Sequence, residues 1–127
     1  MLAYRLEING LGPYGDEGYN DETLPLLWNM CDAHTGSYTH PNWAKDGLSV
    51  YGYNRFACPS IETFVSWFDE FLGQFALLKG ATVRIIETNN SHQIGYSGRQ
   101  LTYNINVATT VEVVTVAEFL KRIANVG

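Results

Sequence analysis

The chain begins with alternation. In AYRLEI, residues 3–8, Tyr4, Leu6 and Ile8 fall on one side of an extended segment and Arg5 and Glu7 on the other, the period-two pattern of a half-buried strand. Gly10, Gly12 and Pro13 stop it. ETLPLLWNMCDA, 22–33, spaces Leu24, Leu27, Trp28 and Cys31 as a helix does, with Asp21 as N-cap and Pro25 tolerated in the first turn. Residues 34–55 hold no sustained period and are rich in Gly, Ser, Asn and Tyr. This is a long loop, and long ordered loops tend to carry function.

The firmest periodicity follows. After Pro59 and Ser60, residues Ile61, Phe64, Val65, Phe68, Leu72 and Phe75 recur at helical spacing, while Trp67 and Phe71 widen the apolar stripe. Ser60 is the expected N-cap, Glu62 suits the positive end of the helix dipole, and Gly80 is the expected stop. Gly73, midway, marks a weak point or a close backbone approach. TVRIIE (82–87) and RQLTYNINV (99–107) read as two strands of a hairpin across 82–107. RFACPS and TTVEVVT add short strands. Thr115 and Glu118 form a capping box that opens a C-terminal helix bearing Val116, Phe119, Leu120 and Ile123. The expectation is α+β: a single small domain over 1–127, mainly antiparallel sheet packed by two or three helices.

Composition adds one asymmetry. All of the net charge of −5 lies in residues 1–46, where Glu7, Asp16, Glu17, Asp21, Glu22, Asp32 and Asp46 face only Arg5 and Lys45. There is no basic stripe, so direct nucleic-acid binding is not expected. An acidic face suits instead a protein partner with a basic, nucleic-acid-binding surface. No apolar run approaches the ~20 residues that span a bilayer, so no membrane partner is expected. Two cysteines without a signal peptide indicate reduced thiols in a cytoplasm.

Chemistry is faint. Cys31, His34 and His40 make at best a half-site for zinc, which needs about four converging ligands. No metal or cofactor is expected. Cys58 beside His34 or His40 lacks any nucleophile elbow and reads as a buried structural thiol. GLGPYG (10–15) is followed by Asp16 and Glu17, which would repel a phosphate, so it is no phosphate loop. Arg5 fits an outward position on its strand better than a transferase pocket.

Taken in order, GLGPYG, HPNWAKDG (40–47), FACPSIETFVSWF (56–68), LLKGATV (77–83) and GYSGRQLTY (95–103) resemble a group of small uncharacterised proteins encoded by bacteriophages and prophages. The likeness covers about residues 4–104. It departs at Ala57-Cys58-Pro59, where a glycine-phenylalanine is usual. The resemblance implies viral origin; together with the acidic first third it leads to the expectation of a phage-encoded accessory protein in the host cytoplasm that binds and inhibits a host protein, such as a CRISPR-type defence complex. The expected contact residues are Tyr14, Asp16, Glu17, Tyr19, Tyr38, Trp43 and Tyr51, because Tyr and Trp anchor interfaces. A second reading is a small enzyme with Arg5, His40, Asp46, Arg99 and Gln100 in a pocket between the 10–21 and 34–55 loops, His40 and Asp46 forming the acid/base pair. A third is a phage structural component that self-assembles through strand edges. The oligomeric state is left open.

Overall fold

The computed structural model describes residues 1–14 and 24–124. Strand β1 (Leu2–Ile8) precedes helix α1 (Leu24–His34) and β2 (Asn54–Ala57). Helices α2 (Ile61–Phe68) and α3 (Phe71–Phe75) follow, then β3 (Ala81–Glu87), β4 (Gln93–Ile94), β5 (Leu101–Asn104), β6 (Thr109–Thr115) and α4 (Val116–Ala124). The strands form two antiparallel sheets, ordered β1-β3-β6 and β2-β5-β4. The class is α+β, as expected.

The first sheet is covered on both faces. Leu6, Ile8, Val83 and Val114 meet the helices, packing with Met30 of α1, Phe64 and Phe68 of α2, Phe75 of α3 and Phe119 of α4. Residues one step out of phase turn the other way: Ala3 and Ile86 pack with Ala57, Leu101 and Tyr103 of the second sheet. Backbone bonds between Tyr4 and Cys58, 2.9 and 2.8 Å, stitch β1 to the end of β2. This double covering revises the reading of Arg5. It does not face solvent; Arg5 and Glu7 are both buried, because the side of β1 that alternation assigns to water lies under a second sheet.

Three further expectations are corrected. The helix over 60–79 is two helices. Ser60 caps α2 as expected, accepting from the Thr63 amide, but Asp69 takes φ 45° and closes the first helix with a bond to the Val65 carbonyl. Gly73 meets no neighbour within 4 Å, so no backbone approaches it. Gly80 is not a left-handed stop; a Cβ there would sit 1.9 Å from Asn9 Oδ1, so close packing, not φ, requires glycine. The hairpin over 82–107 does not form. β3 is the central strand, with β1 and β6 on its two edges, and leaves no edge for β5. Asn89 and Asn90, both at positive φ, turn the chain out of this sheet, and β5 pairs instead with β4 and β2. Half of the expected capping box forms: the Glu118 amide donates to Thr115 Oγ1 at 3.1 Å and opens α4, while the Glu118 carboxylate turns to Arg122.

Helix α1 turns a different stripe inward from the one its spacing indicated. Leu27, Met30 and His34 are buried, whereas Trp28 is exposed and Cys31 half-buried. The consequence is that His34, the last residue of α1, enters the protein.

Candidate functional site

His34 is the centre of a polar chain inside an aromatic cluster. Trp67 Nε1 donates to the Tyr14 hydroxyl at 2.6 Å, and that hydroxyl lies 2.8 Å from His34 Nδ1. The Tyr14 hydroxyl thus bridges the Trp67 indole and the His34 imidazole. His40 stacks on His34 with ring centres 3.6 Å apart and planes 12° from parallel. The Trp67 ring meets His40 edge-on at 4.8 Å, and the Arg99 guanidinium lies 5.9 Å from the Trp67 ring centre. His40 Nε2 donates to the Trp67 carbonyl, and its Nδ1 faces the Ser37 and Thr39 hydroxyls.

Burial sets the electrostatics. It pushes His34 down from 6.5 to about 4, with His40 adding to the effect. His40 is lowered too, mainly by burial and further by Arg99, against the pull of the Trp67 carbonyl and Asp69. Burial raises the Tyr14 hydroxyl far above its usual value, and pushes the Cys58 thiol up to about 12. At neutral pH the cluster therefore holds two uncharged imidazoles, a phenol and a protonated thiol. It contains neither a thiolate nor an imidazolium ready for catalysis.

A second polar knot lies on the same loop. The Asp46 carboxylate, only 3% exposed, accepts from the Ser97 amide (2.7 Å), the Ser97 hydroxyl (2.8 Å) and Gln100 Nε2 (3.0 Å). Gln100 also donates to the Pro41 carbonyl, and Arg99 to the Thr39 carbonyl and Ser66 Oγ. Glycine is required twice here. A Cβ on Gly95 would stand 2.1 Å from Asp46 Oδ2, and Gly47, at φ +80°, carries the Tyr96 ring against its Cα. The loop between α1 and β2 is thus pinned to the 95–100 turn by buried, charge-assisted bonds. From these two tied loops Tyr38, Trp43, Tyr51, Tyr53 and Tyr96 project outward. Tyr38 is fully exposed, Tyr96 87% and Tyr51 60%, and Tyr51 and Tyr53 stack at 5.6 Å.

Four of the segments that carry the phage resemblance meet in these knots: GLGPYG through Tyr14, HPNWAKDG through His40 and Asp46, the α2 segment through Trp67, and GYSGRQLTY through Ser97, Arg99 and Gln100. The family described as Bacteriophage T4 Y00F protein matches residues 1–117. The chain belongs to this phage family. No curated protein and no solved structure matches it.

For this Y00F-family chain, the predicted residues separate into groups. Tyr38, Trp43 and Tyr51 are exposed as expected. Tyr14 is half-exposed, but its hydroxyl is committed inward. Asp16, Glu17 and Tyr19 lie outside the described residues. The side chains named for the enzyme reading do not converge among the described residues. His40 and Arg99 do flank Trp67, but the Asp46 carboxylate is bonded to Gln100 and Ser97, and among the described residues no carboxylate bonds to His40. Arg5 is elsewhere, bonded to Glu7 and the Phe56 carbonyl.

Cys31, His34 and His40 likewise do not form a metal centre. Among the described residues no group of three or more His, Cys, Asp or Glu side chains is placed to hold a metal ion, and the two imidazoles lie face to face. Two of the seven acids of the expected acidic face are not on the surface, since Glu7 is buried between Arg5 and Arg84 and Asp46 is internal. Sequence reasoning passed over Trp67, taken as stripe, and Tyr53 and Tyr96, whose only signal was their place in Gly- and Asn-rich turns. No helix among the described residues is long and apolar enough to cross a membrane.

Proposed function

We propose that this phage-encoded protein is a binding module that docks on and inhibits a host protein in the host cytoplasm. The contact face is the pair of tied loops bearing Tyr38, Trp43, Tyr51, Tyr53 and Tyr96, with Arg99 over the Trp67 ring. One observation carries the reading: five exposed aromatic side chains stand on loops locked from below by the buried Asp46 carboxylate. Tyr, Trp and Arg dominate interface energetics. Loops already ordered before binding avoid the cost of ordering them, which favours affinity. A solvated surface gains nothing from this many aromatic rings held rigidly in water.

The acids of the first third, Asp16, Glu17, Asp21, Glu22 and Asp32, favour a partner whose own surface is basic, such as a nucleic-acid-handling protein of a host defence complex. The polar atoms of the His40 and Asp46 cluster are spent internally, which weighs against the enzyme reading. The test is affinity capture from host lysate followed by reconstitution with the purified partner. Tyr38→Ala with Tyr51→Ala should weaken binding at least thirtyfold, the effect of losing hot-spot anchors worth about 2 kcal/mol or more. Equal capture by wild type and double variant would remove the aromatic face from the account.

The edge of β6, unpaired among the described residues, with Val111 and Val113 exposed on that strand, favours self-assembly as the second reading. Light scattering at rising concentration separates a monomeric inhibitor from an assembling component.

A further inference from the structure

Between the two sheets lies a cleft of about 220 Å³, lined by Glu7, Arg84, Ile86 and Thr110 from the first sheet and by Arg55 and Tyr103 from the second. Its charge is unbalanced. Glu7 Oε2 accepts from Arg5 Nε and Glu7 Oε1 from Arg84 Nε, each at 3.0 Å, so one buried carboxylate serves two guanidinium groups. Arg55 adds a third cation. Its Nη1 is held by the Gly52 and Asn54 carbonyls, which fix the group without neutralising it. Arg84 Nη1 donates to Thr110 Oγ1. The chain as a whole is acidic, so a local excess of two positive charges calls for an explanation. Arg5, the buried member, is matched by Glu7, so the half-buried Arg84 and Arg55 that line the cleft share what is left of a single carboxylate.

A second, independent observation points to a ligand. Tyr103 is 4% exposed and lines the cleft, and among the described residues its hydroxyl makes no hydrogen bond to the protein. A buried hydroxyl without a partner is costly and uncommon. Burial raises its pKa, and Arg5, Arg84 and Arg55 pull the other way while Glu7 opposes them, so the phenol stands in the field of all four charges.

We propose that this cleft binds a small organic molecule through a doubly charged oxyanion group, a phosphate monoester or a dicarboxylate. Arg55 and Arg84 hold the anion, the Tyr103 hydroxyl donates to one of its oxygens, and Ile86 packs against the organic body. Planar guanidinium groups match both oxyanions, and Tyr103 gains the acceptor it lacks. Arg55 is held by the Gly52 carbonyl, between Tyr51 and Tyr53, so the cleft adjoins the aromatic face, and small-molecule titration reads it without recourse to partner capture.

The experiment is calorimetric and NMR titration of the intact protein, at fixed ionic strength, with inorganic phosphate, glycerol 3-phosphate, succinate and uncharged glycerol. Saturable binding of glycerol 3-phosphate or succinate, and none of glycerol, is expected; whichever binds tighter identifies the group. Arg55→Gln should weaken binding at least tenfold and Tyr103→Phe about threefold. Ile105→Trp, at the exposed rim of the cleft, should block it without touching the charges. No saturation by any anion at 10 mM, about a hundredfold weaker than useful metabolite affinity, overturns the proposal. So does undiminished binding in all three variants.

Discussion

Acidifying the protein tests whether His34 is held neutral by its surroundings. The imidazole is 8% exposed, lies 2.8 Å from the Tyr14 hydroxyl, and is stacked on a second imidazole that is also disfavoured as a cation. Its pKa is about 4 when folded, against 6.5 for the free group. A depressed histidine binds fewer protons folded than unfolded. Its neutral form therefore costs nothing above pH 6.5, and stability falls as pH drops from 6.5 toward 4. At about 1.4 kcal/mol per pH unit the full loss is on the order of 3 kcal/mol, with about 2 kcal/mol gone by pH 5.

Urea unfolding followed by tryptophan fluorescence at pH 7.5, 6 and 5 reads this directly. A loss of about 2 kcal/mol lowers the midpoint by about 1 M at a typical urea slope. Carboxylates titrate in the same range, so the decisive quantity is the difference from His34→Gln, whose amide accepts the Tyr14 hydroxyl but does not titrate. The variant should lose about 2 kcal/mol less than wild type between pH 7.5 and 5. His40, facing Arg99 and Asp69, titrates in the same direction, and adding His40→Gln should flatten the curve further. Parallel pH profiles for wild type and His34→Gln would refute the reasoning.

Two other perturbations test the scaffold. Tyr14→Phe leaves Trp67 Nε1, on a residue 7% exposed, without its acceptor; the cost should be about 1–3 kcal/mol, read as a drop of several degrees in Tm. Gly95→Ala forces a methyl into the Asp46 carboxylate and breaks bonds to Ser97 or Gln100. It should cost about 1–3 kcal/mol per buried group left unpaired and abolish hydrogen-exchange protection of the Ser97 amide, whereas a protected amide in a stable variant would contradict the clamp.

How much was legible in the sequence depended on the range of the forces involved. Ser60 capping α2 and Thr115 capping α4 were readable, because a cap is a contract among residues three apart. The break at Asp69–Glu70 was not. The apolar stripe runs unbroken through it, and only tertiary packing turns Asp69 to positive φ. The 82–107 hairpin failed for a related reason. Alternation identifies strands but not their partners, and β3 had both edges taken by β1 and β6. Arg5 and Glu7 were read as solvent-facing because period two distinguishes two faces without saying what covers the second.

The functional residues were harder still, for a physical reason that the two knots make plain. His40 and Asp46 are six residues apart and polar, which reads as catalysis, but their hydrogen bonds run to Trp67, Ser97 and Gln100, from 27 to 54 residues away. Every such bond consumes an acid, base or amide that chemistry would need. What it yields in return is a long loop held still, and a still loop is what displays Tyr38, Tyr51 and Tyr53 in a fixed arrangement. The polar residues that most resembled an active site thus act as the foundation of a surface, and the aromatics that looked like decoration of a loop are what that foundation presents. If the clamp serves display, loosening it by Gly95→Ala should weaken partner binding more than it weakens the fold, and a variant that stays folded yet binds its partner as wild type does would separate the two.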